Sequence, residues 1–241
     1  MNQSLDYSRI YSKWHSYAPE HVADMKSHFA RFAGDVLPAD RGARILDVGC
    51  AMGFALRWLR DLGYAGAEGI DADEGLVRQC REQDLAATLV EDAADWLAAR
   101  PGAFAAIFAF DLVEHLVPEK QLDLCRAIHS ALAPGGRFVC TVPNASSALA
   151  GRWRYMCWTH RASFTEHGLD FLLYNAGFRK IEVGGLDLMA PPRSLQGHLR
   201  VALQKAFRGF RRLEMATEVG WREAKHVPLE LNLRGVATKS A

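Results

Sequence analysis

ILDVGCAMGF, residues Ile45 to Phe54, is the stretch that decides how this sequence is read. A short apolar run carries an acidic residue near its end, and glycines at 49 and 53 then lead into an amphipathic segment. Glycine lets the backbone turn sharply and lets a ligand approach where a β-carbon would collide. A strand that feeds a helix through such a loop is a cradle for a nucleotide-type cofactor. A dinucleotide site needs G-x-G-x-x-G so that a pyrophosphate meets the helix N-terminus. Here the third and sixth positions counted from Gly49 are Ala51 and Phe54, so that spacing is not met.

Outward from this loop, strand-like runs alternate with helical patterns. Strands are expected at 43–48, 66–70, 86–90, 104–110 and 137–142, with helices at 53–62, 74–83, 93–100 and 119–132 between them. Strict alternation of this kind signals a parallel sheet covered by helices on both faces. Ligands in such sheets bind beyond the carboxyl ends of the strands. Pro19 opens an amphipathic stretch to Phe32, as proline does in a first helical turn. Thr165 can cap a helix through Tyr174, a strand follows at 179–183, and a last strand-like run covers 229–238. About 45 residues separate these two final strands, more than a compact sheet needs.

The chain has 241 residues, 49% hydrophobic and 24% charged, which suits one α/β domain with a substantial core. With 29 Lys+Arg against 28 Asp+Glu, it is not built as a whole to neutralise phosphate backbones, and nucleic acid is not the expected partner. Its five cysteines include no C-x-x-C pair and are odd in number, which disfavours a zinc site and a disulfide framework alike. The first residues have no apolar core of signal-peptide type, and the most apolar stretch, 103–110, is far short of the ~20 residues that cross a bilayer. A cytoplasmic protein is expected, at most peripheral at the inner membrane face.

The glycine stretch resembles the D-x-G-x-G-x-G motif of class I S-adenosylmethionine-dependent methyltransferases, with Ala51 where that family most often has glycine. Three further elements occur in the family's order: EGIDAD ending at Asp73, LVEDAADWL around Asp92, and LAPGGRFVCTVPN from Leu132 to Asn144. The resemblance covers about residues 40–185. It implies a Rossmann-like, seven-stranded, mostly parallel sheet with an insertion between the last two strands. A single domain would comprise N-terminal lid helices (1–40), a cofactor-binding core (41–184), a basic insertion or cap (185–228) and a final strand (229–241). It also implies that S-adenosyl-L-methionine is held by Asp47, Gly49, Cys50, Ala51, Gly53, Asp71, Ala72, Asp92, Ala93, Phe110 and Asp111. Asp71 would accept hydrogen bonds from the ribose hydroxyls and Asp92 from the adenine amino group. For both carboxylates a helix cap or a solvated group is the plainer reading, and for Cys50 a small loop filler.

On the acceptor side, FAFDLVEHL resembles the family's D-x-x-E-H segment, and THRASFT resembles a T-H-x-x-x-F-T segment of a branch associated with bacterial surface-polysaccharide (O-antigen) sugar O-methylation, a part of lipopolysaccharide biosynthesis. His115 and His160 are therefore the catalytic candidates, since a histidine titrating near operating pH suits removal of a hydroxyl proton. A packed histidine is the alternative for each. A divalent ion shared by Asp111 and His160 has only two ligands, so no metal is expected. Tyr7, Tyr11 and Trp14 lie at helical spacing and are candidates for a lid over the cofactor.

In the insertion, Arg193, Arg200, Lys205, Arg208, Arg211 and Arg212 occur without an acid between them, and Leu199, Leu203, Phe207, Phe210 and Leu213 recur at three- and four-residue steps. Such a helix suits a membrane surface or a cap over an anionic substrate, although the commoner arrangement packs its apolar face on the core. The expected function is O-methylation of a sugar hydroxyl in a surface glycan or its precursor, a lipid-linked one included. The alternatives are a small aromatic or quinone precursor, and a non-catalytic cofactor-binding partner subunit.

Overall fold

A computed structural model describes residues 6–187, 192 and 194–240. Seven strands, β1 (Ile45–Val48), β2 (Ala67–Asp71), β3 (Ala87–Leu89), β4 (Phe104–Phe110), β5 (Leu132–Pro143), β6 (Lys180–Leu186) and β7 (Asn232–Thr238), form one sheet in the order β3-β2-β1-β4-β5-β7-β6. The pairings among the first five are parallel, and β7 runs antiparallel to both β5 and β6. The order reverses direction at β1, so the crevice between the carboxyl ends of β1 and β4 is the expected ligand position.

Apart from Asp47, the two central strands, β1 and β4, are apolar because both sheet faces are covered. In β1, Ile45, Leu46 and Val48 are fully or almost fully buried, and Asp47 is only 3% exposed. On one face Leu46, Ile107, Phe138 and Cys140 pack with helices α5 (Ala93–Ala98), α6 (Pro118–Ala131) and α8 (Glu166–Asn175). On the other, Ile45, Phe108 and Val139 pack with α2 (Pro19–Ala33) and α3 (Phe54–Asp61). Truncating Phe108, which has no exposed surface, to Ala would cost about 3–5 kcal/mol.

Local signals set the helix ends. Pro19 and Pro118 stand in the first turns of α2 and α6, and Thr165 caps α8 by accepting from the Gly168 amide at 3.1 Å. Strand β5 starts at Leu132 rather than at the expected 137, because the Pro134-Gly135-Gly136 segment stays in the sheet as an irregularity opposite Phe104 and Ala106. Two helices were not expected, α7 (Ala150–Met156) and α10 (Trp221–Ala224), whereas α1 (Tyr7–Trp14) matches the helical spacing of Tyr7, Tyr11 and Trp14 and α4 (Glu74–Glu82) lies where the sequence placed it.

The insertion forms one helix of 25 residues, α9 (Leu195–Val219); Arg193 of the basic run lies outside the described residues. This helix is turned inside out relative to the common arrangement. None of its residues is buried, and Leu199, Leu203, Phe207, Phe210 and Leu213 are 51–69% exposed. Two arginines instead hold it to the body. Arg208 pairs with Asp187 at 2.5 Å and Glu230 at 3.3 Å, and Arg212 donates to the carbonyls of Ala224 and Val227. Among the described residues, no helix is long and apolar enough to cross a membrane.

Candidate active site

The site is built at the carboxyl ends of β1, β2 and β4, around a cavity of about 850 Å³. The β1–α3 loop forms its floor. Gly49 and Gly53 adopt left-handed φ angles of +75° and +74°. A β-carbon on Gly53 would come within 2.6 Å of Leu85 Cδ1 and 2.9 Å of the Cys80 sulfur, which with the left-handed φ favours glycine there. Ala51 also has a left-handed φ, +46°, at the position where a glycine was expected from the family resemblance. Its amide donates to Asp71 Oδ2 at 2.8 Å, which holds the loop in this conformation.

Asp71 ties two segments together, because its other oxygen accepts from the Asp73 amide at 2.9 Å. Burial raises its pKa, opposed by these backbone donors. Asp73 in turn accepts from the amides of Tyr7 and Ser8, so α1 is tethered across the cavity. Tyr7, Tyr11 and Trp14 all line that cavity, so α1 forms part of its wall. Burial, reinforced by the Asp111 and Asp71 carboxylates, pushes the Tyr11 hydroxyl well above its ordinary pKa.

Of the residues proposed from the sequence, Gly49, Ala51, Asp71, Ala72, Asp92, Ala93, Phe110 and Asp111 line the cavity, together with both histidines. Asp47, Cys50 and Gly53 do not line it. Cys50 packs beneath the loop, against the position where Gly69 would carry a β-carbon. Asp47 lies in the sheet under the loop, where burial and the neighbouring Asp71 charge raise its pKa to about 7. Asp92 combines two readings. Its Oδ1 caps α5 through the amides of Ala94 and Asp95, and its Oδ2 pairs with Lys120 at 3.1 Å. The amide of Asp95, followed by Lys120, lowers its pKa.

At the other wall, Asp111 directly follows β4 with φ +49°, a left-handed conformation that residues with a side chain seldom adopt. Its Oδ1 accepts from Thr141 Oγ1 at 2.9 Å and Asn232 Nδ2 at 2.8 Å, and its amide donates to the Thr141 carbonyl. Asn232 also accepts from Trp153 Nε1 at 3.1 Å, which joins β7 and α7 to the site. Asn232 and Trp153 belong to no motif, and the sequence separation of 121 between Asp111 and Asn232 hides the contact from sequence reading. Glu114 is 1% exposed, and neither carboxylate oxygen has a hydrogen-bond partner. Burial, then the charge of Asp111, raises its pKa well above the usual range.

His115 and His160 stand edge to face, their ring centroids 4.7 Å apart. His115 Nδ1 lies 2.8 Å from Thr159 Oγ1, which also accepts from the Tyr7 hydroxyl. His160 Nδ1 lies 3.0 Å from the Trp153 carbonyl. A carbonyl only accepts, so Nδ1 carries the proton and Nε2 keeps its lone pair. Burial, then the adjacent His160, lowers the His115 pKa to about 4, so its ring is neutral at neutral pH.

The fit to S-adenosylmethionine can be judged from this donor set. The cavity joins a cramped glycine loop, a carboxylate at the end of β2, a second carboxylate after β3 and an aromatic wall at Phe110. These suit an amino-acid moiety, a ribose diol, an adenine amine and a flat base, respectively. No residue of α9 lines the cavity.

Comparison with known proteins agrees with this arrangement. A family profile described as Methyltransferase domain matches residues 14–183. The ubiquinone biosynthesis O-methyltransferase of Xanthomonas campestris pv. campestris (strain B100) is 36% identical over 115 residues, 45% of this chain and 47% of the relative. The chain thus spans about half the length of the curated relatives it matches. A SAM dependent methyltransferase from Archaeoglobus fulgidus shares the fold with a TM-score of 0.66 at 20% identity, over 97% of this chain and 99% of its own. A methyltransferase solved with the Trm112 methyltransferase activator of Haloferax volcanii gives 0.70 at 18% identity, over 99% and 100%. Together with the sheet order, the glycine loop and the carboxylates that follow it, the match over residues 14–183 shows that the chain belongs to the methyltransferase-domain family, with the fold of S-adenosylmethionine-dependent methyltransferases.

Proposed function

We propose that this chain methylates a hydroxyl of an aromatic ring acceptor, of the quinone-precursor class, with S-adenosylmethionine as methyl donor. The observation that carries this reading is one cavity whose walls hold both the cofactor-type residues Gly49, Ala51, Asp71 and Asp92 and the histidine pair His115 and His160. The cofactor supplies an electrophilic methyl on a sulfonium. The chain's own residues position the acceptor oxygen and ease the loss of its proton, and orientation alone can contribute much of the rate. Tyr7, Tyr11, Trp14, Leu116, Trp153 and Met156 make the remaining wall largely apolar and aromatic, which suits a ring better than a hydrated sugar. The naming of the curated relatives as ubiquinone biosynthesis O-methyltransferases supports the same acceptor class.

A sugar hydroxyl in a surface glycan or its precursor is the second reading. It is favoured by Tyr155 and Trp158, which are 79% and 83% exposed beside the cavity-lining residues of α7, as aromatic platforms for sugar faces are. Labelled methyl transfer into substituted catechols, nucleotide sugars and lipid-linked glycans decides between them. Incorporation into the catechols alone supports the first reading, and incorporation into the sugars alone overturns it.

The outward stripe of α9 belongs with this proposal as a contact to an anionic lipid surface. Arg200 and Lys205 flank the exposed apolar residues, and no acid occurs between Leu195 and Leu213. That is the pattern of a helix lying in a membrane interface. A lipid-tailed acceptor would reach the enzyme there. Sedimentation with phosphatidylglycerol vesicles, compared with phosphatidylcholine vesicles, should pull down the protein selectively, and Phe207→Asp with Phe210→Asp should abolish this. Equal recovery with both vesicles, or with the double variant, would argue against the contact.

A further inference from the structure

We infer that His115, Cys157 and His160 form a site for one zinc-class divalent cation on the wall of the cavity. A ligand atom from each, two imidazole nitrogens and one sulfur, lies within 4.8 Å of the others. All three residues line the cavity, so an ion bound by them has its fourth position on the open side. Three protein ligands and one exchangeable position is the arrangement of catalytic zinc sites. Bonds of about 2.0–2.3 Å to a tetrahedral ion place donors roughly 3.5 Å apart, so the side chains need to close by about 1 Å. A thiolate with two imidazoles selects zinc or cobalt over magnesium or calcium, which prefer oxygen.

Independent features hold these donors where an ion needs them. The His160 Nδ1–H bond to the Trp153 carbonyl leaves Nε2 available, which is the outer bond that metal-binding histidines ordinarily make. Thr159 Oγ1 lies 2.8 Å from His115 Nδ1 and 3.2 Å from Cys157 Sγ, and so fixes both side chains from one point. The Glu114 carbonyl accepts from the amides of Arg161 at 2.6 Å and Ala162 at 3.2 Å, which clamps the segment carrying His160 against the one carrying His115. The Glu114 carboxylate, next to His115 in sequence, has no partner although it is almost wholly buried. A buried acid without a partner calls for a reason, and a nearby cation provides one. The other four cysteines are buried in the core, so Cys157 is the thiol available to a metal.

Binding releases the Cys157 thiol proton to solvent as the sulfur–metal bond forms. Where the methyl-transfer reading applies, an acceptor hydroxyl in the fourth position becomes more acidic and loses its proton to water. Its oxygen then bonds the methyl carbon as the methyl–sulfur bond breaks. The metal site itself does not depend on that reading, and its test does not use turnover.

The experiment is a titration of metal-stripped full-length protein with Co²⁺, followed by absorbance. The expected result is one equivalent with a thiolate-to-cobalt charge-transfer band, displaced by stoichiometric Zn²⁺ and unaffected by a large excess of Mg²⁺. Cys157→Ser should remove the band, and His160→Ala should weaken zinc binding by at least tenfold, with the thermal midpoint and S-adenosylhomocysteine affinity of both variants near wild type to show that they fold. Zinc should also protect Cys157 from alkylation in the wild-type protein. A cobalt spectrum without the sulfur band, a band that persists in Cys157→Ser, or displacement by Mg²⁺ would overturn the site. Failure of S-adenosylhomocysteine to bind the wild type would instead count against the methyltransferase reading.

Discussion

Replacing Asp71 with asparagine tests the site at the residue on which most of its geometry converges. The carboxylate accepts from the Ala51 amide at 2.8 Å and the Asp73 amide at 2.9 Å, and so connects the glycine loop to the segment that tethers α1. An asparagine oxygen can keep one of these bonds, but its NH₂ group then faces the other amide donor to donor. One charge-assisted bond is lost and one N–H is left without an acceptor, which costs about 1.5–3 kcal/mol. For a domain of this size that lowers the thermal midpoint by roughly 3–12 °C, at about 2–4 °C per kcal/mol. The ribose diol of a bound cofactor would lose a charged acceptor as well. A further 2–4 kcal/mol in binding is roughly a 30- to 1,000-fold loss in affinity. Calorimetric titration with S-adenosylhomocysteine and a thermal melt of the same sample measure both effects. If Asp71→Asn binds within about threefold of wild type and melts at the same temperature, the carboxylate neither holds the loop nor meets the ligand, and the reasoning fails.

Other perturbations probe separate links. Ala51→Gly should stabilise the protein by up to about 1.5 kcal/mol, because relief of a left-handed alanine at about 1–2 kcal/mol outweighs the entropy cost of glycine at about 0.5–1 kcal/mol; a lower thermal midpoint would show that the loop is unstrained. Asp47 binds its proton more tightly in the folded chain, with a pKa of about 7, than in the unfolded chain near 4. Its contribution to stability is therefore full below about pH 4 and is lost as pH rises through about 7, up to about 4 kcal/mol. Denaturant titrations should show a flatter dependence between pH 5 and 8 for Asp47→Asn, and parallel profiles for variant and wild type would refute this. His115→Ala should lower turnover ~10²-fold or more with cofactor affinity nearly unchanged, measured by labelled methyl transfer; a loss below about tenfold would make His115 a packing residue.

Much of the fold was legible because its signals are local. The apolar run 104–110 is strand β4 residue for residue, and Asp71 and Asp92 could be placed because each follows a short strand in strict alternation. Contacts made across the chain were not legible. Asn232 reaches Asp111 from the start of the last strand, and Trp153 reaches Asn232 from a helix with no strong pattern. Periodicity showed that the insertion has an apolar face but not which way the face turns. That orientation is set by Arg208 and Arg212, whose partners Asp187, Glu230 and the Ala224 and Val227 carbonyls are known only once the chain has folded. Cys157 and His160 stand three residues apart, a spacing the sequence contained, yet it gained meaning only when His115 was found beside them. Conversely, Asp47, Cys50 and Gly53 carry the motif without reaching the cavity, since a tight loop needs buried residues beneath it as much as exposed ones above.

The most direct test of the account is calorimetric titration of the wild-type chain with S-adenosylmethionine and S-adenosylhomocysteine. A methyltransferase with its cofactor in this cavity binds both with one-to-one stoichiometry, and Asp71→Asn weakens both. Absence of binding by either molecule to the folded wild-type chain would contradict it.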